Sequence, residues 1–434
     1  MHKIIVAGAG HGGLTAAVTL AKKGWDVTVF EASAREAMGH DWHDTMMPAA
    51  FDFCGIARPK LFTPYVKARH TTPAKTVVLK TDPAPVKNVA YIDRRDLIRY
   101  LLSVAEESGV KLCFETEALS PLCENGRVTG LRLHNKDKTW DEPADLVIDA
   151  AGMDSPARRN LPESLGILKE IPAEQTYFVW RGYFNAVPGG RRPEHSYNIC
   201  FFHTGAPGLD WLIDRPPYAD ILVGGIGGGD LDEAAVEAAV ADFRADYSFV
   251  GTELLRGGGG IKKIPLRRTL GLFVADGYAA VGDSAAMTEP MSGSGITLSM
   301  KAGKILAETL LSGGGDPFSA GNLWRYQYDY QKTLGENYLK DDLIKGMLQM
   351  LTPDDMDYLF QNRVLTAKEM LKDKAPVDLD YIKGKAAIFG RPALLGSLTR
   401  TAKRLAKKSA VCAAMPRVYD PNAVKAWAHR YEAL

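Results

Sequence analysis

Gly8-Ala-Gly-His-Gly-Gly13 is the first stretch of this 434-residue chain whose residue types and spacing do chemistry, because it fits G-x-G-x-x-G. In that pattern the first glycine permits a tight turn and the second lets the backbone approach a pyrophosphate. The third lets a helix pack closely on a sheet. Glu31 stands eighteen residues past Gly13. An acid there accepts hydrogen bonds from a ribose diol and repels a 2′-phosphate, which disfavours NADP. Gly8, Gly10, Gly12, Gly13 and Glu31 are the expected nucleotide-binding positions. A second stretch, Gly39-His-Asp-Trp-His-Asp-Thr-Met-Met47, gathers side chains that move protons. His43 and Asp44 are its candidates for proton donor or orienting group, with ordinary loop hydrogen bonding as the alternative. His40 and His43 lack a third ligand in a fixed motif, so no metal is expected. Nearby Cys54 reads as a buried structural thiol.

These residues need particular elements to position them. Lys3–Ala7 reads as a buried parallel strand, Leu14–Lys23 as a helix ended by Gly24, and Asp26–Phe30 as a second buried strand. The helix N-terminus would offer unpaired N–H groups and a positive dipole end to phosphates. The segment by itself binds a dinucleotide and does not choose between FAD and NAD. A second glycine run, Val223-Gly-Gly-Ile-Gly-Gly-Gly229, precedes an expected helix over Leu231–Tyr247. It follows an antiparallel strand and has no strand–acid pair after it, so it reads as a decoy. Arg256-Gly-Gly-Gly-Gly260 reads as a turn.

Bulk properties bound the function. Net charge is +1, which gives no support for nucleic-acid binding by the whole molecule. The five cysteines form no C-x-x-C pair, so reduced thiols in a cytoplasmic protein are expected, without a zinc or iron–sulfur site. No signal peptide and no apolar run of about 18 residues is visible.

A second motif lies some 270 residues on. Ala279–Val281 reads as a short strand ending in Gly282-Asp283, Ser292-Gly-Ser-Gly295 as a glycine-rich loop, and Ile296–Leu311 as a long helix. This segment resembles the second FAD signature of the flavoprotein hydroxylase superfamily, which includes aromatic hydroxylases, halogenases and geranylgeranyl reductases. The resemblance implies that Asp283 holds a ribityl hydroxyl. It implies that Glu289-Pro290-Met-Ser-Gly-Ser-Gly295 passes close to the isoalloxazine, and that Gly293, Gly295 and Ile296 present backbone N–H groups to the flavin. Tyr91-Ile-Asp-Arg-Arg-Asp-Leu-Ile-Arg-Tyr-Leu101 is similar to the family's strand-to-helix segment, in which an arginine lies near the cofactor. Arg95 is the first choice and Arg94 the second. Val110–Phe114 reads as a third parallel strand, and Arg127–His134 as a hairpin strand. Ala150-Ala-Gly-Met-Asp-Ser-Pro-Ala-Arg158 is similar to the family's A-D-G-x-x-S-x-x-R, with Ala151 where the family has Asp. That departure puts direct NAD(P)H use in doubt, while Gly152 and Ser155 remain flavin-side positions.

Residues 172–227 change to short aromatic and β-branched runs separated by Pro and Gly turns, an antiparallel-sheet pattern. In the superfamily such a sheet backs the substrate pocket. Gly208-Leu-Asp-Trp-Leu-Ile-Asp-Arg215 sits where geranylgeranyl reductases carry Y-x-W-x-F-P and halogenases W-x-W-x-I-P. Only Trp211 and Ile213 match, so Trp211 is the expected pocket residue, against a plain sheet tryptophan. The C-terminal part reads as helices over Leu323–Leu351, Val364–Leu371 and from Ala393 onward. Arg400, Lys403, Arg404, Lys407 and Lys408 lie beside Leu394, Leu398, Ala402 and Leu405, a basic amphipathic helix. A peripheral membrane contact near 397–408 and a solvated face are its two readings.

The expected architecture is an α/β Rossmann-type FAD-binding domain over 1–165 and 261–320, with an antiparallel-sheet substrate domain (α+β) over 166–260. A C-terminal helical region covers 321–434. The resemblance is to the geranylgeranyl reductase-like branch. It implies hydride transfer from flavin N5 to a carbon–carbon double bond of a hydrophobic, isoprenoid-like substrate, with NAD(P)H or a protein as electron donor. The alternatives are an FAD-dependent monooxygenase and a non-enzymatic flavin-binding protein. A cytoplasmic or membrane-associated location is expected, and the oligomeric state is open.

Overall fold

A computed structural model describes residues 2–74, 78–79, 85–205, 207–227, 231–366 and 379–434. Its first layer is a six-stranded sheet. The order is Val274–Ala275, Tyr278–Ala280, Leu146–Asp149, Lys3–Ala7, Asp26–Phe30 and Lys111–Cys113. All neighbours are parallel except the edge pair Val274–Ala275 and Tyr278–Ala280. A strand inside a parallel sheet is covered on both faces, so its residues are apolar without alternation. Ile4, Ile5 and Val6 satisfy this and are fully buried. Helix His11–Ala21 starts three residues earlier than the apolar spacing suggests, directly on the glycine run. It packs against helix Ile296–Ser312, which follows the second motif. The two backbones meet at glycines, since a Cβ on Gly303 would lie 2.1 Å from the Gly12 carbonyl oxygen.

Two small antiparallel sheets attach to this layer. One joins His43–Met46, Pro85–Asp93 and Thr63–Val66. The other is a meander of Glu117–Glu124, Arg127–His134 and Thr139–Pro143. Its first turn places Asn125 and Gly126 at φ 49° and 81°, the conformation an Asn-Gly hairpin selects.

The second layer is an eight-stranded, mostly antiparallel sheet containing Thr176–Ala186, Tyr197–Phe201, Leu209–Arg215 and Tyr218–Ile226. Arg69–Thr71, from far earlier in the chain, joins it in parallel beside Tyr197–Phe201. Period-2 alternation divides its faces. Phe184, Leu212, Ile221 and Val223 pack under helix Glu233–Asp246. Val179, Tyr183, Leu222 and Trp211 belong to the opposite face, which looks toward the first layer.

The C-terminal part is helical over Ala320–Thr333, Leu339–Leu348, Pro353–Gln361, Leu379–Ala386, Pro392–Ala413 and Pro421–Glu432. The single helix expected over Leu323–Leu351 is broken by the 3-10 turn Gly335–Tyr338. Gly335 packs closely there, since a Cβ on it would meet the Gln331 side chain at 2.4 Å. Val364–Thr366 is not helical, and residues 367–371 of that expected helix lie outside the described residues, as do Gly228 and Gly229 of the decoy run. Trp427 and Tyr431 of the last helix are buried in the same core as the N-terminal strands, with Trp324 and Trp427 rings 6.0 Å apart. Among the described residues no helix is long and apolar enough to cross a membrane.

Candidate active site

The nucleotide end is built from glycines that leave no room for a side chain. Gly8 has φ +89°, and a Cβ there would lie 2.7 Å from the Ala150 carbonyl oxygen. Gly13 brings the helix onto the sheet, since its Cβ would lie 2.6 Å from the Ala150 Cβ and 2.9 Å from Val6. Gly12 faces the second motif, with Val281 at 2.6 Å and the Ser299 carbonyl at 2.7 Å from its would-be Cβ. Gly10 caps helix His11–Ala21 without a side-chain bond, and no acid occupies the first turn. The helix N–H groups and dipole are therefore open to an anion. The Glu31 carboxylate is fixed beside this loop, accepting from the Ala9 N–H and the Ser33 N–H, each at 2.8 Å. His11 is buried, its Nε2 has no partner, and burial and the Arg94 guanidinium hold its pKa well below the usual value.

The second motif repeats the arrangement at the other end. Gly295 caps helix Ile296–Ser312 without a side-chain bond and without an acid in the first turn. Gly293 has φ +70°, and a Cβ on Gly295 would lie 3.3 Å from Asp283 Oδ1. Burial pushes the Asp283 carboxyl pKa up, against the pull of Arg94. Gly152, at φ +88°, donates its N–H to Ser284 Oγ at 2.9 Å. Asp149, which the sequence did not mark, ties the two motifs together. Its carboxylate accepts from Ser155 Oγ at 2.6 Å, Tyr278 OH at 2.7 Å, Ser284 Oγ at 2.9 Å and the Ala151 N–H at 3.1 Å. Arg158 adds a bond of 2.6 Å to the Ser284 carbonyl. The available signal was positional: Asp149 ends an apolar strand as Glu31 and Asp283 follow theirs.

One cavity of about 490 Å³ joins both motifs to the second layer. Gly10, Gly12, Gly152, Asp283, Gly293, Gly295 and Ile296 line one side of it. His43, Asp44 and Trp211 line it too. Gly8, Gly13 and Glu31 do not line it; the first two are packed into the backbone, and Glu31 is bound to the loop behind. Pro290 is buried outside it. Arg94 reaches the cavity, and Arg95, the first choice from sequence, does not. Arg95 instead pairs with Asp41 at 3.2 Å. One helical step of about 100° separates the two, and only the fold decides which faces inward.

The sheet side is mostly aromatic and aliphatic, and a buried ion pair reaches it through Arg181. Arg181 donates Nε and Nη2 to Asp220 at 2.8 and 2.7 Å, and both groups are buried. Its third arm donates to the His43 carbonyl, and the His43 N–H donates to Tyr183 OH at 2.7 Å. The sheet therefore clamps the backbone of His43 from both sides. Burial, then Arg215, lowers the His43 pKa to about 4, so the ring is neutral near pH 7. Its Nδ1 has no partner. Asp44 Oδ2 accepts from Arg94 Nη1 and Trp42 Nε1, each at 3.2 Å. Cys54 is buried, its thiol donating to the Met300 carbonyl, and burial raises its pKa to about 12.

The far end of the cavity reaches Lys345, Leu348 and Met356. Lys345 belongs to a buried centre the sequence did not reveal. Asp342 receives Lys408 at 3.0 Å, Arg268 at 3.1 Å and Lys345 at 3.4 Å. Burial raises the Asp342 pKa, but these three cations outweigh it and hold it below the carboxylate range. Lys408 is thus turned inward, away from Arg400, Lys403, Arg404 and Lys407, which are exposed. Among the described residues no group of three His, Cys, Asp or Glu is arranged to hold a metal ion.

These features suit FAD. Two uncapped helix N-termini, a buried imidazole without a partner, and a carboxylate on the cavity wall match a long dinucleotide with phosphates at its middle and a polar ring system at one end. A family model described as an FAD binding domain matches residues 1–178. A digeranylgeranylglycerophospholipid reductase of Sulfolobus acidocaldarius is 24% identical over 98% of this chain and 95% of its own length. One from Methanothrix thermoacetophila is 27% identical over 83% of this chain and 90% of its own. A geranylgeranyl bacteriochlorophyll reductase-like protein of Thermoplasma acidophilum shares the fold, with a TM-score of 0.72 at 18% identity, covering 92% of this chain and 99% of its own. The myxobacterial chondrochloren halogenase follows at a TM-score of 0.60 and 17% identity, covering 100% of this chain and 97% of its own. From its two motifs, its fold and these relatives, the chain is an FAD-dependent oxidoreductase similar to the geranylgeranyl reductase-like branch of the flavoprotein hydroxylase superfamily.

Proposed function

We propose that this protein reduces a carbon–carbon double bond in a hydrophobic, isoprenoid-like substrate. The observation that carries the proposal is the continuous cavity running from the Asp283 and Gly293–Gly295 wall to an aromatic and aliphatic sheet face. Apolar walls with few polar groups select an apolar ligand. The relatives named as lipid reductases over nearly the full chain support the same reading. Gly8–Gly13, Glu31, Arg94, Gly152, Asp283 and Gly293–Ile296 would hold FAD, which would supply the hydride from its N5 position. The residues of the chain do the rest. Trp211 and the sheet beside it would hold the alkene and exclude water. His43, neutral and clamped by Arg181 and Tyr183, would present its unpartnered ring nitrogen to the substrate as proton donor or orienting group. Asp44, paired with Arg94, would orient that arginine.

Residues 1–165 with 261–320, 166–260, and 321–434 would serve as FAD-binding, substrate and helical units. The helix Pro392–Ala413 would rest on an anionic lipid surface. Its Arg400, Lys403, Arg404 and Lys407 fall at i, i+3, i+4 and i+7, on one face, and Phe389 just before it is 71% exposed. The electron donor would be NAD(P)H or a protein, and Ala151 in place of the family's Asp weighs against direct NAD(P)H use. A monooxygenase is the rival reading, favoured by no feature of the cavity. Anaerobic incubation of the reduced protein with a geranylgeranyl lipid tests the choice. The product should gain two hydrogens by mass, and product formed only with oxygen would overturn the reading.

A further inference from the structure

Tyr91 stands on the strand Pro85–Asp93, opposite Thr45 on one side and Thr63 on the other. His43 faces Asp93 across the same ladder. Residues two apart on a strand share a face, so Tyr91, Asp93, His43 and Thr45 project to one side of this small sheet. Tyr91, His43 and Thr45 line the cavity together. The Tyr65 ring meets Tyr91 edge-on, with centroids 5.0 Å apart, and lines the cavity too. Burial, then the Glu289 carboxylate, raises the Tyr65 pKa, so the two tyrosines stand toward the loop that carries Gly293 and Gly295. The Arg215 guanidinium lies 4.1 Å from the Tyr91 ring centroid and does not itself line the cavity. Tyr91 is 5% exposed, yet its hydroxyl has no hydrogen-bond partner. Buried hydroxyls are ordinarily bonded, so this one is held ready for what the cavity contains.

Two groups on this face could give a proton, and they are unequal. His43 is neutral near pH 7, and a neutral imidazole gives up its single N–H proton less readily than a phenol does. Burial, then Tyr65, raises the Tyr91 pKa, which keeps the phenol protonated, while Arg215 and Arg181 pull the other way. Those two guanidinium groups would support the phenolate once it forms. We propose that Tyr91 is the acid that delivers the proton in alkene reduction, with His43 orienting the substrate beside it. The assignment rests on the reductase reading above, in which reduced flavin supplies the hydride. Hydride addition to one carbon of the double bond moves the π electron pair onto the other carbon. That pair takes the Tyr91 proton, so an O–H bond breaks and a second C–H bond forms. The phenolate keeps the negative charge that the hydride brought, and solvent water returns the proton after the product leaves.

The test mixes the reduced, FAD-loaded protein with digeranylgeranylglycerol without oxygen and follows oxidised-flavin absorbance against lipid concentration. Tyr91→Phe should lower the saturating rate at least a hundredfold, on the order of a lost general acid, while the half-saturating lipid concentration moves less than about threefold. The substitution removes a hydroxyl that bonds nothing, so the visible spectrum of the oxidised holoprotein should be unchanged. Replacement of Tyr91 alone by 3-fluorotyrosine, a more acidic phenol of nearly the same size, should raise the saturating rate above that of the unaltered protein. A purely structural role of the ring would not produce that rise, and this variant decides the matter if Tyr91→Phe folds poorly. A saturating rate that survives Tyr91→Phe, a loss confined to the half-saturating concentration, or a rate that ignores fluorination overturns the assignment and leaves the reductase reading standing. An unaltered protein whose flavin stays reduced with the lipid overturns both.

Discussion

Asp283 carries most of the weight at the scale of single residues. It follows a buried strand, lines the cavity, and is raised in pKa by burial. A carboxyl so placed needs a hydrogen-bond partner, and a ribityl hydroxyl would provide one. Asp283→Ala should weaken FAD binding roughly ten- to a hundredfold, the loss of a hydrogen bond to a charged group. Unchanged FAD affinity, read by flavin fluorescence, would contradict the assignment. The positions of the glycines and acids at strand ends were legible in the sequence because they follow from backbone geometry and local order. Arg94 was legible only as the second choice behind Arg95, and Asp149 was not. Choosing Arg94 over Arg95 depends on the roll of one helix, and Asp149 matters through partners up to 135 positions away.

The element that unites the site is the crossing of helices His11–Ala21 and Ile296–Ser312. Each presents an N-terminus without a side-chain cap, and their separation is set by Gly12 and Gly303. A methyl on Gly303 cannot be absorbed by a flexible neighbour, because it meets backbone. Gly303→Ala should therefore cost about 1–3 kcal/mol and loosen FAD with it. A lower urea midpoint with increased flavin release is expected, and an unshifted midpoint would show that the crossing tolerates separation. The strands and helices of both motifs were readable because periodicity and glycine spacing are local. The break at Gly335–Tyr338 was not, since Leu334 and the apolar spacing around it continue the helical pattern.

At the scale of the molecule, a strand from residues 69–71 enters the second sheet and the last helix returns to the first core. Such long-range closures have no signature in local sequence. The far end of the cavity is walled by Leu348, Met356 and Phe201, which share a small core with Leu394 and Ile388 at the start of the basic helix. A lipid substrate would thus approach beside a cationic face. Flotation with vesicles containing phosphatidylglycerol should recover the protein, and vesicles of phosphatidylcholine alone should not. The triple change Lys403→Glu, Arg404→Glu, Lys407→Glu should abolish recovery. Equal recovery of this variant would contradict the membrane contact.

The central claim is that one cavity brings an apolar alkene to an FAD held by both motifs. Stopped-flow mixing of the reduced protein with a geranylgeranyl lipid, under strict exclusion of oxygen, tests it most directly. Reappearance of oxidised-flavin absorbance in step with saturation of the lipid is the predicted result. A flavin that stays reduced until oxygen is admitted would contradict the account.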